Sequence, residues 1–392
     1  MANTRLTRTV GTQTDNHKFT FSFWVKRAKI TYSDAFIVDG RVDANNRFKI
    51  AFNSADVLEI WNSYSGSDTF AINTNRKFRD TSAWYHIVLA VDTTDSTAGD
   101  RVKLYINGVR ETSFSSSTNP PLNDAANCIN ESGTTISIGA YYNNTYGYEG
   151  IISHFHFCDG TALAPTVFGE TDSTTGEWKI LTSPSFTLGN NGFTILKDGN
   201  TITDQSSNSN NFTLANGTLT PTEDCPSNSF ATFNNLIPQT GATFNKGNTA
   251  CYRTSAGNYR RIGCTLGATS GKYYAEFLLG GSQWAGVCLT NGGDIERTTL
   301  GNNGYMGEYA ADKSVGIRQD GIVYSSGANV SSAQWNQGSM STSDRLCLAL
   351  DLDNKKLFLG KNGTWSSSSN PVTNTGGITL TGDSYTFCVA TS

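Results

Sequence analysis

Apolar and polar residues alternate with a period of two along most of the chain. The pattern opens with Phe19, Phe21, Phe23 and Val25 set against Thr20, Ser22 and Trp24. A period of two sends successive side chains to opposite faces, so this segment predicts a strand with one strongly aromatic face. Residues 35–38 form a short apolar run before Asp39-Gly40, which reads as a turn, and residues 47–52 alternate again. Residues 84–91 are apolar on both faces, as expected of a strand inside a sheet covered on both sides. Val102, Leu104 and Ile106 then point one way into Asn107-Gly108. Asn-Gly tolerates the two positive φ angles of a tight hairpin, so it predicts one here. Ile136, Ile138 and Ala140, followed by residues 151–157, supply further strands.

The same grammar returns after residue 240. Residues 272–277 alternate, 285–289 and 314–317 are short apolar runs, and Leu346, Leu348, Leu350 and Leu352 share one face. Tyr385, Phe387 and Val389 face together near the end. One plan occurs twice: residues 84–92 and 101–108 form a core strand, a polar connection, a strand and an Asn-Gly turn. Residues 344–351 and 355–363 repeat that order. No segment carries a capped 3.6-residue apolar period. Short strands at regular spacing with Gly, Asn and Asp turns predict sandwiches or barrels. The expected fold is all-β, with two consecutive antiparallel jelly-roll-type sandwiches over residues 1–215 and 241–392. A connector over 216–240 is expected between them, rich in Asn, Ser and Thr.

A chain of 392 residues exceeds one ordinary core, in keeping with two domains. Its 21 Phe, 16 Tyr and 7 Trp argue against disorder. The net charge is −4 with a pI near 5.6 and no run of Lys or Arg, so nucleic acid is not an expected partner. No stretch approaches the ~18 apolar residues of a spanning helix, and no apolar leader opens the chain. The 8 cysteines form no Cys-x-x-Cys pair and have no His at zinc spacing. Free, buried thiols are expected, in a protein made in a cytoplasm. A disulfide between Cys251 and Cys264 is the alternative.

Phe21-Ser-Phe-Trp-Val-Lys26, residues 84–91, Leu104-Tyr-Ile-Asn-Gly108 and residues 150–157 resemble laminin-G-like, concanavalin-A-like jelly rolls. Asp204-Gln-Ser-Ser-Asn-Ser-Asn-Asn-Phe212 resembles the form common in virion proteins of marine tailed bacteriophages. Gly271-Lys-Tyr-Tyr-Ala-Glu-Phe277, Trp284-Ala-Gly-Val-Cys288 and the 351–365 hairpin resemble a SPRY domain. Together the resemblances cover about nine-tenths of the chain and imply interaction modules more than any one function. They imply a non-enzymatic virion surface protein, either a capsid decoration, head fibre or tail fibre. Its partners would be other virion proteins and a host-surface glycan, with self-association, as a trimer for instance. Alternatives are a polysaccharide-degrading spike component and a pure capsid cement module.

Several constellations bear on chemistry. Glycosidases of concanavalin-A-like fold place two carboxylates about 5–5.5 Å apart across the sugar bond. Glu170-Thr-Asp172 begins such a motif, but the next acid is Glu177, too far along. Gly267-Ala-Thr-Ser-Gly-Lys272 falls short of a phosphate loop, and Gly280-Gly-Ser282-Gln-Trp284 lacks the last Gly of a nucleophile elbow. No catalytic residue is assigned. Of the 4 His, His154 and His156 should share a strand face, packed rather than metal-bound. Asp92, Asp95 and Asp100 leave calcium open without assigning it, and no cofactor is expected. The candidate ligand-binding residues are Tyr141, Tyr142, Asn143, Asn144, Tyr146 and Tyr148, a loop whose rings and amides suit a sugar.

Overall fold

The computed structural model describes residues 3–126, 128–197, 199, 201–236, 241–253, 259–281, 283–290, 304–309, 311–366 and 369–391. The chain is all-β and divides into two units, Met1–Phe230 and Ala231–Ser392.

The first unit packs two antiparallel sheets face to face. The larger runs, edge to edge, Phe114–Thr118, Ser67–Lys77, Val57–Tyr64, Arg47–Phe52, Ala35–Arg41, Thr135–Ile138, Arg5–Thr9 and Thr213–Asn216. The smaller has six strands, Phe193–Ile195, Gly150–Asp159, Lys18–Arg27, Tyr85–Asp92, Val102–Ile106 and Val109–Arg110. The aromatic face read from the sequence fills the space between them. Phe21 meets Phe157 at 4.7 Å between ring centroids, and Phe23 stacks on Phe155 at 4.9 Å. Burying each such ring contributes about 1.5–3 kcal/mol, so this cluster holds the sheets together.

The alternate face of the smaller sheet is buried too. Thr20, Ser22, Trp24, Lys26 and His86 are all under 5% exposed. Later chain covers them: Thr20 Oγ1 donates to Thr161 O, Phe168 stacks on His156, and Asp224 pairs with Lys26. Residues 216–230, read as connector, thus group with the first unit. The Asp224 carboxylate holds Lys26 Nζ at 2.6 Å and Trp84 Nε1 at 3.0 Å, both deep in the structure.

One local expectation is corrected. Asp39-Gly40 is not a turn but the interior of strand Ala35–Arg41. Glycine is required there because a Cβ on Gly40 would lie 2.2 Å from the Cys128 carbonyl oxygen. The turn follows at Val42, whose N–H donates to Asn46 O. His154 and His156 share the outer face with ring centroids 6.4 Å apart, although a bulge shifts the register between Ser153 and His156 and His154 has φ 47°.

The second unit packs a six-stranded sheet against a five-stranded one. The first runs Arg260–Ala268, Tyr385–Thr391, Trp284–Leu289, Val315–Arg318, Val323–Ser325, Ala328–Asn329. The second joins Lys272–Leu278, Arg345–Asp351, Lys356–Lys361 and Thr364–Trp365, with Ile378–Thr379 also pairing to Lys356–Lys361. Leu346, Leu348, Leu350 and Leu352 lie in its core with Val287, Ile317 and Val389. Thr232 to Asn234 add hydrogen bonds to Gly263 and Thr265, so this unit begins before residue 241. The repeated hairpin is present in both units. Asn107 and Gly108 have φ 48° and 77°, and Asn362 and Gly363 have φ 50° and 82°. All eight cysteines are free thiols, and no helix among the described residues is long and apolar enough to cross a membrane.

Candidate functional site

The eight-stranded sheet turns one face to the core and the other outward. Leu6, Phe48, Ile50, Ile60 and Ile136 point inward, so their strand neighbours project from the far side. Register brings those neighbours into two cross-strand rows. One runs Thr7, Ser137, Asp39, Lys49 and Trp61, each a direct partner of the next. The row beside it runs Thr9, Thr135, Arg41, Arg47 and Ser63. This face is therefore basic and aromatic, although the chain as a whole is acidic.

The tyrosine loop folds over one end of the rows. Asn144 N donates to Tyr141 O at 2.9 Å, and the Asn143 side-chain oxygen accepts from Thr145 N, closing a tight turn. Tyr142 N donates to Asp39 Oδ2 at 3.0 Å, and Arg41 Nη1 donates to Tyr141 Oη at 2.9 Å. The Arg41 guanidinium lies over the Tyr142 ring at 3.9 Å, and Arg47 lies over Trp61 at 5.0 Å. Tyr146 adopts φ 51°, a left-handed conformation that costs a bulky residue energy, and its carbonyl accepts from Phe36 N. Tyr142 and Tyr146 stay 42% and 45% exposed, enough for one ring face of each to meet a ligand.

The six candidate residues divide. Tyr141, Tyr142 and Tyr146 cluster with Phe36 at the surface. The Asn144 amide oxygen is taken by Arg5 Nε at 2.7 Å, so Asn144 braces the loop. Tyr148 turns into the core against Phe52, and burial raises its phenol well above the usual value, so it is withdrawn from the candidate surface. The reading from sequence missed Trp61, Arg41 and Arg47. Their signal is the alternation in residues 47–52 with basic residues at the outward positions, which gives direction but not whether the outward face is covered.

Charge on this face is unevenly compensated. Lys49 pairs with both Asp34 and Glu59. Arg5, Arg41 and Arg47 form no ion pair among the described residues, and Arg47 Nε is a buried donor without an acceptor. A buried donor left unpaired costs about 1–3 kcal/mol. Asp39 sits among these arginines and is 1% exposed. Burial pushes its carboxyl up to about 6, opposed by the Tyr142 N–H and by Arg41, Arg47 and Arg5. Thr7, Thr9 and Thr135 continue the face into a groove of about 500 Å³ that Asn210, Asn211 and Thr213 complete.

The remaining constellations have other occupations. Glu170 and Asp172 belong to an exposed two-stranded ribbon, Gly169–Thr171 against Trp178–Ile180, where Asp172 pairs with Lys179. Asp92 pairs with Lys18 and Asp100 with Arg110, while Asp95 accepts from Thr97 N. No cluster of three metal-ligating side chains occurs among the described residues. Residues 269–271 are a turn entering strand Lys272–Leu278, and Ser282 lies outside the described residues. Ser22 Oγ and His86 Nε2 are 2.9 Å apart, as in a nucleophile and its base. Trp178 Nε1 donates to His86 Nδ1 at 3.0 Å, however, and an indole can only donate. The ring proton therefore sits on Nε2, which cannot accept a second one from Ser22. Burial lowers the His86 and His156 imidazoles to about 3, and both stay neutral at ordinary pH.

Residues 3–168, under half the chain, match a laminin-G-type family described as the concanavalin A-like lectin/glucanases superfamily. The fold of the first unit is of this jelly-roll type. No curated protein matches the chain. A putative carbohydrate binding protein from Bacteroides ovatus is similar in structure, with 14% identity, a TM-score of 0.38, and coverage of 58% of this chain and 62% of that one, less than two thirds of its length. Domains LG4-5 of the mouse laminin alpha1 chain show 10% identity and a TM-score of 0.32, over 98% of this chain and 80% of that one. The PSpry domain of TRIM65 shows 15% identity and a TM-score of 0.30, over 41% of this chain and 85% of that one.

Proposed function

We propose that the chain is a non-catalytic adhesion protein whose first sandwich binds a glycan on the outer face of its eight-stranded sheet. One observation carries the reading: that face brings Trp61, Tyr142, Arg41 and Arg47 together, all at least partly exposed, while the opposite outer face is sealed. Ring faces offer apolar area to the C–H surface of a sugar, and guanidinium, hydroxyl and amide groups bond its hydroxyls. The lectin/glucanase description of the family matched by residues 3–168 supports the same class. The non-catalytic side rests on the exposed Glu170 ribbon and on the wrong tautomer for a Ser22–His86 dyad.

The test is affinity for a panel of immobilised polysaccharides. Trp61→Ala and Tyr142→Ala should each weaken binding about tenfold, which is 1.4 kcal/mol, with an unchanged melting temperature. A melting temperature that drops while binding holds would make both rings packing residues and end this reading. Release of reducing ends or unsaturated sugars, abolished by Glu170→Gln, would favour the enzyme alternative. A setting on a phage virion surface, among other virion proteins and copies of itself, extends the proposal. The resemblance carried by residues 204–212 supports that setting, and copy number in purified particles tests it.

A further inference from the structure

We infer that the ligand of this face is an acidic polysaccharide, whose carboxylate or sulfate groups are taken by Arg41 and Arg47 while an adjoining ring stacks on Trp61. The inference rests on the glycan reading above and adds the chemical class.

Arg41 and Arg47 are direct cross-strand partners, and like charges in that position repel. Other cations of the first unit are relieved. Lys49 holds two carboxylates, and Arg27 and Arg79 share Asp56. Arg41 and Arg47 instead find only aromatic faces and one phenol, which leaves guanidinium N–H groups for a further acceptor. Arg5 stands near, turned to Asn144 and Ser137. The acids close by are committed: Asp34 and Glu59 hold Lys49, Asp39 is buried under the Tyr142 N–H, and Asp43 accepts from Asn45 and Asn46 within its own turn. Three arginines thus surround one buried carboxylate, and none of them holds an ion pair among the described residues. Planar forks beside stacked rings match carboxylate or sulfate bidentately. The hydroxyl- and amide-lined groove at Thr135, next to Arg41, offers hydrogen bonds to the following sugar. A sugar polymer suits this mixture better than nucleic acid, whose backbone wants a longer basic stripe.

The experiment measures binding of the full chain to dextran, polygalacturonate, dextran sulfate and single-stranded DNA at physiological salt. The expected result is binding at least about tenfold tighter to one or both acidic polysaccharides than to dextran. Polygalacturonate against dextran sulfate separates carboxylate from sulfate as the source. Arg47→Gln and Arg41→Gln should each remove most of that preference, Arg47→Lys less of it, with near-ultraviolet dichroism unchanged. Both positions are tested because either variant alone could fold poorly. Equal binding of neutral and acidic polymers overturns the inference while the glycan reading stands. Binding to none of the polysaccharides ends both. DNA bound as tightly as the acidic polysaccharides, or a preference that survives both Gln variants, also overturns it.

Discussion

Lys26 and Arg47 each project from the far face of a sheet in the first unit, and their surroundings differ completely. Lys26 is 2% exposed and meets Asp224 at 2.6 Å and the Phe230 carbonyl at 3.2 Å. Arg47 lies over Trp61, faces Arg41 and has no carboxylate partner among the described residues. The neighbours follow suit. On the sealed face, Ser22, His86, Trp178, His156 and Thr194 satisfy one another as neutral groups. On the open face, charges are left partly unsatisfied. Polar groups whose costs are met locally serve the fold, whereas groups whose costs stand unmet mark where a ligand would complete them.

The two faces should therefore titrate in opposite directions, and acid gives the largest effect. His86 and His156 have folded values near 3, below their unfolded 6.5. Their stabilisation is present above pH 6.5 and lost as pH falls toward 3, on the order of 5 kcal/mol for each imidazole. Hydrogen exchange in strands Lys18–Arg27 and Tyr85–Asp92 of the full chain should accelerate over that window. His86 or His156 resonances that titrate near pH 6.5 in the folded protein would refute the sealed face.

Next in size is Asp224→Ala. It strands the Lys26 ammonium in the interior and should cost about 3–5 kcal/mol in denaturant unfolding of the first unit. A loss below about 1 kcal/mol, the scale of a surface pair, would mean that residues 216–230 are only loosely attached.

On the open face the sign reverses. Asp39 has a folded value near 6 against 3.8 unfolded, so its contribution is full below pH 3.8 and lost as pH rises through 6. Asp39→Asn should stabilise the first unit at pH 7.5, by up to about 3 kcal/mol. Because Arg5, Arg41, Arg47 and Lys49 surround this carboxyl, its protonation should tighten acidic-glycan binding from pH 7 to 5. The Asn variant should bind with little pH dependence over that range. Destabilisation by Asp39→Asn at pH 7.5 would show that its charge is needed by the arginines. Smallest of all, Arg47→Gln should stabilise the first unit by about 1 kcal/mol, because it removes a buried donor without an acceptor and a cross-strand repulsion, a shift best measured beside the binding loss.

Strand positions and hairpins were legible because period and turn chemistry act locally. Asn107-Gly108 and Asn362-Gly363 adopt the positive φ angles that the dipeptide is suited to. The fate of each outer face was not legible. Thr20, Ser22 and Trp24 alternate with the phenylalanines just as Arg47 and Lys49 do with Phe48 and Ile50, yet later segments seal the first set and leave Arg47 partly exposed. Asp39-Gly40 misled for a related reason. The glycine answers the Cys128 carbonyl, nearly ninety residues away, rather than a local turn. Within the tyrosine loop, composition drew attention to all four rings, but only packing separates Tyr148 in the core from Tyr142 at the surface.

The placement of Asp224 also bears on how the protein would carry force. A pull transmitted along the chain beyond Phe230 reaches the first sandwich at Lys26 and Trp84, beside adjacent strands of the smaller sheet, before it reaches the edge strand Thr213–Asn216 of the larger one. An ion pair and an indole hydrogen bond, both shielded from water, must break before that edge strand can peel from Arg5–Thr9. Forced unfolding is governed by the barrier rather than by the equilibrium. For an adhesion protein tethered at one end and loaded at the other, this buried clasp would raise the force at which the binding sandwich begins to unravel.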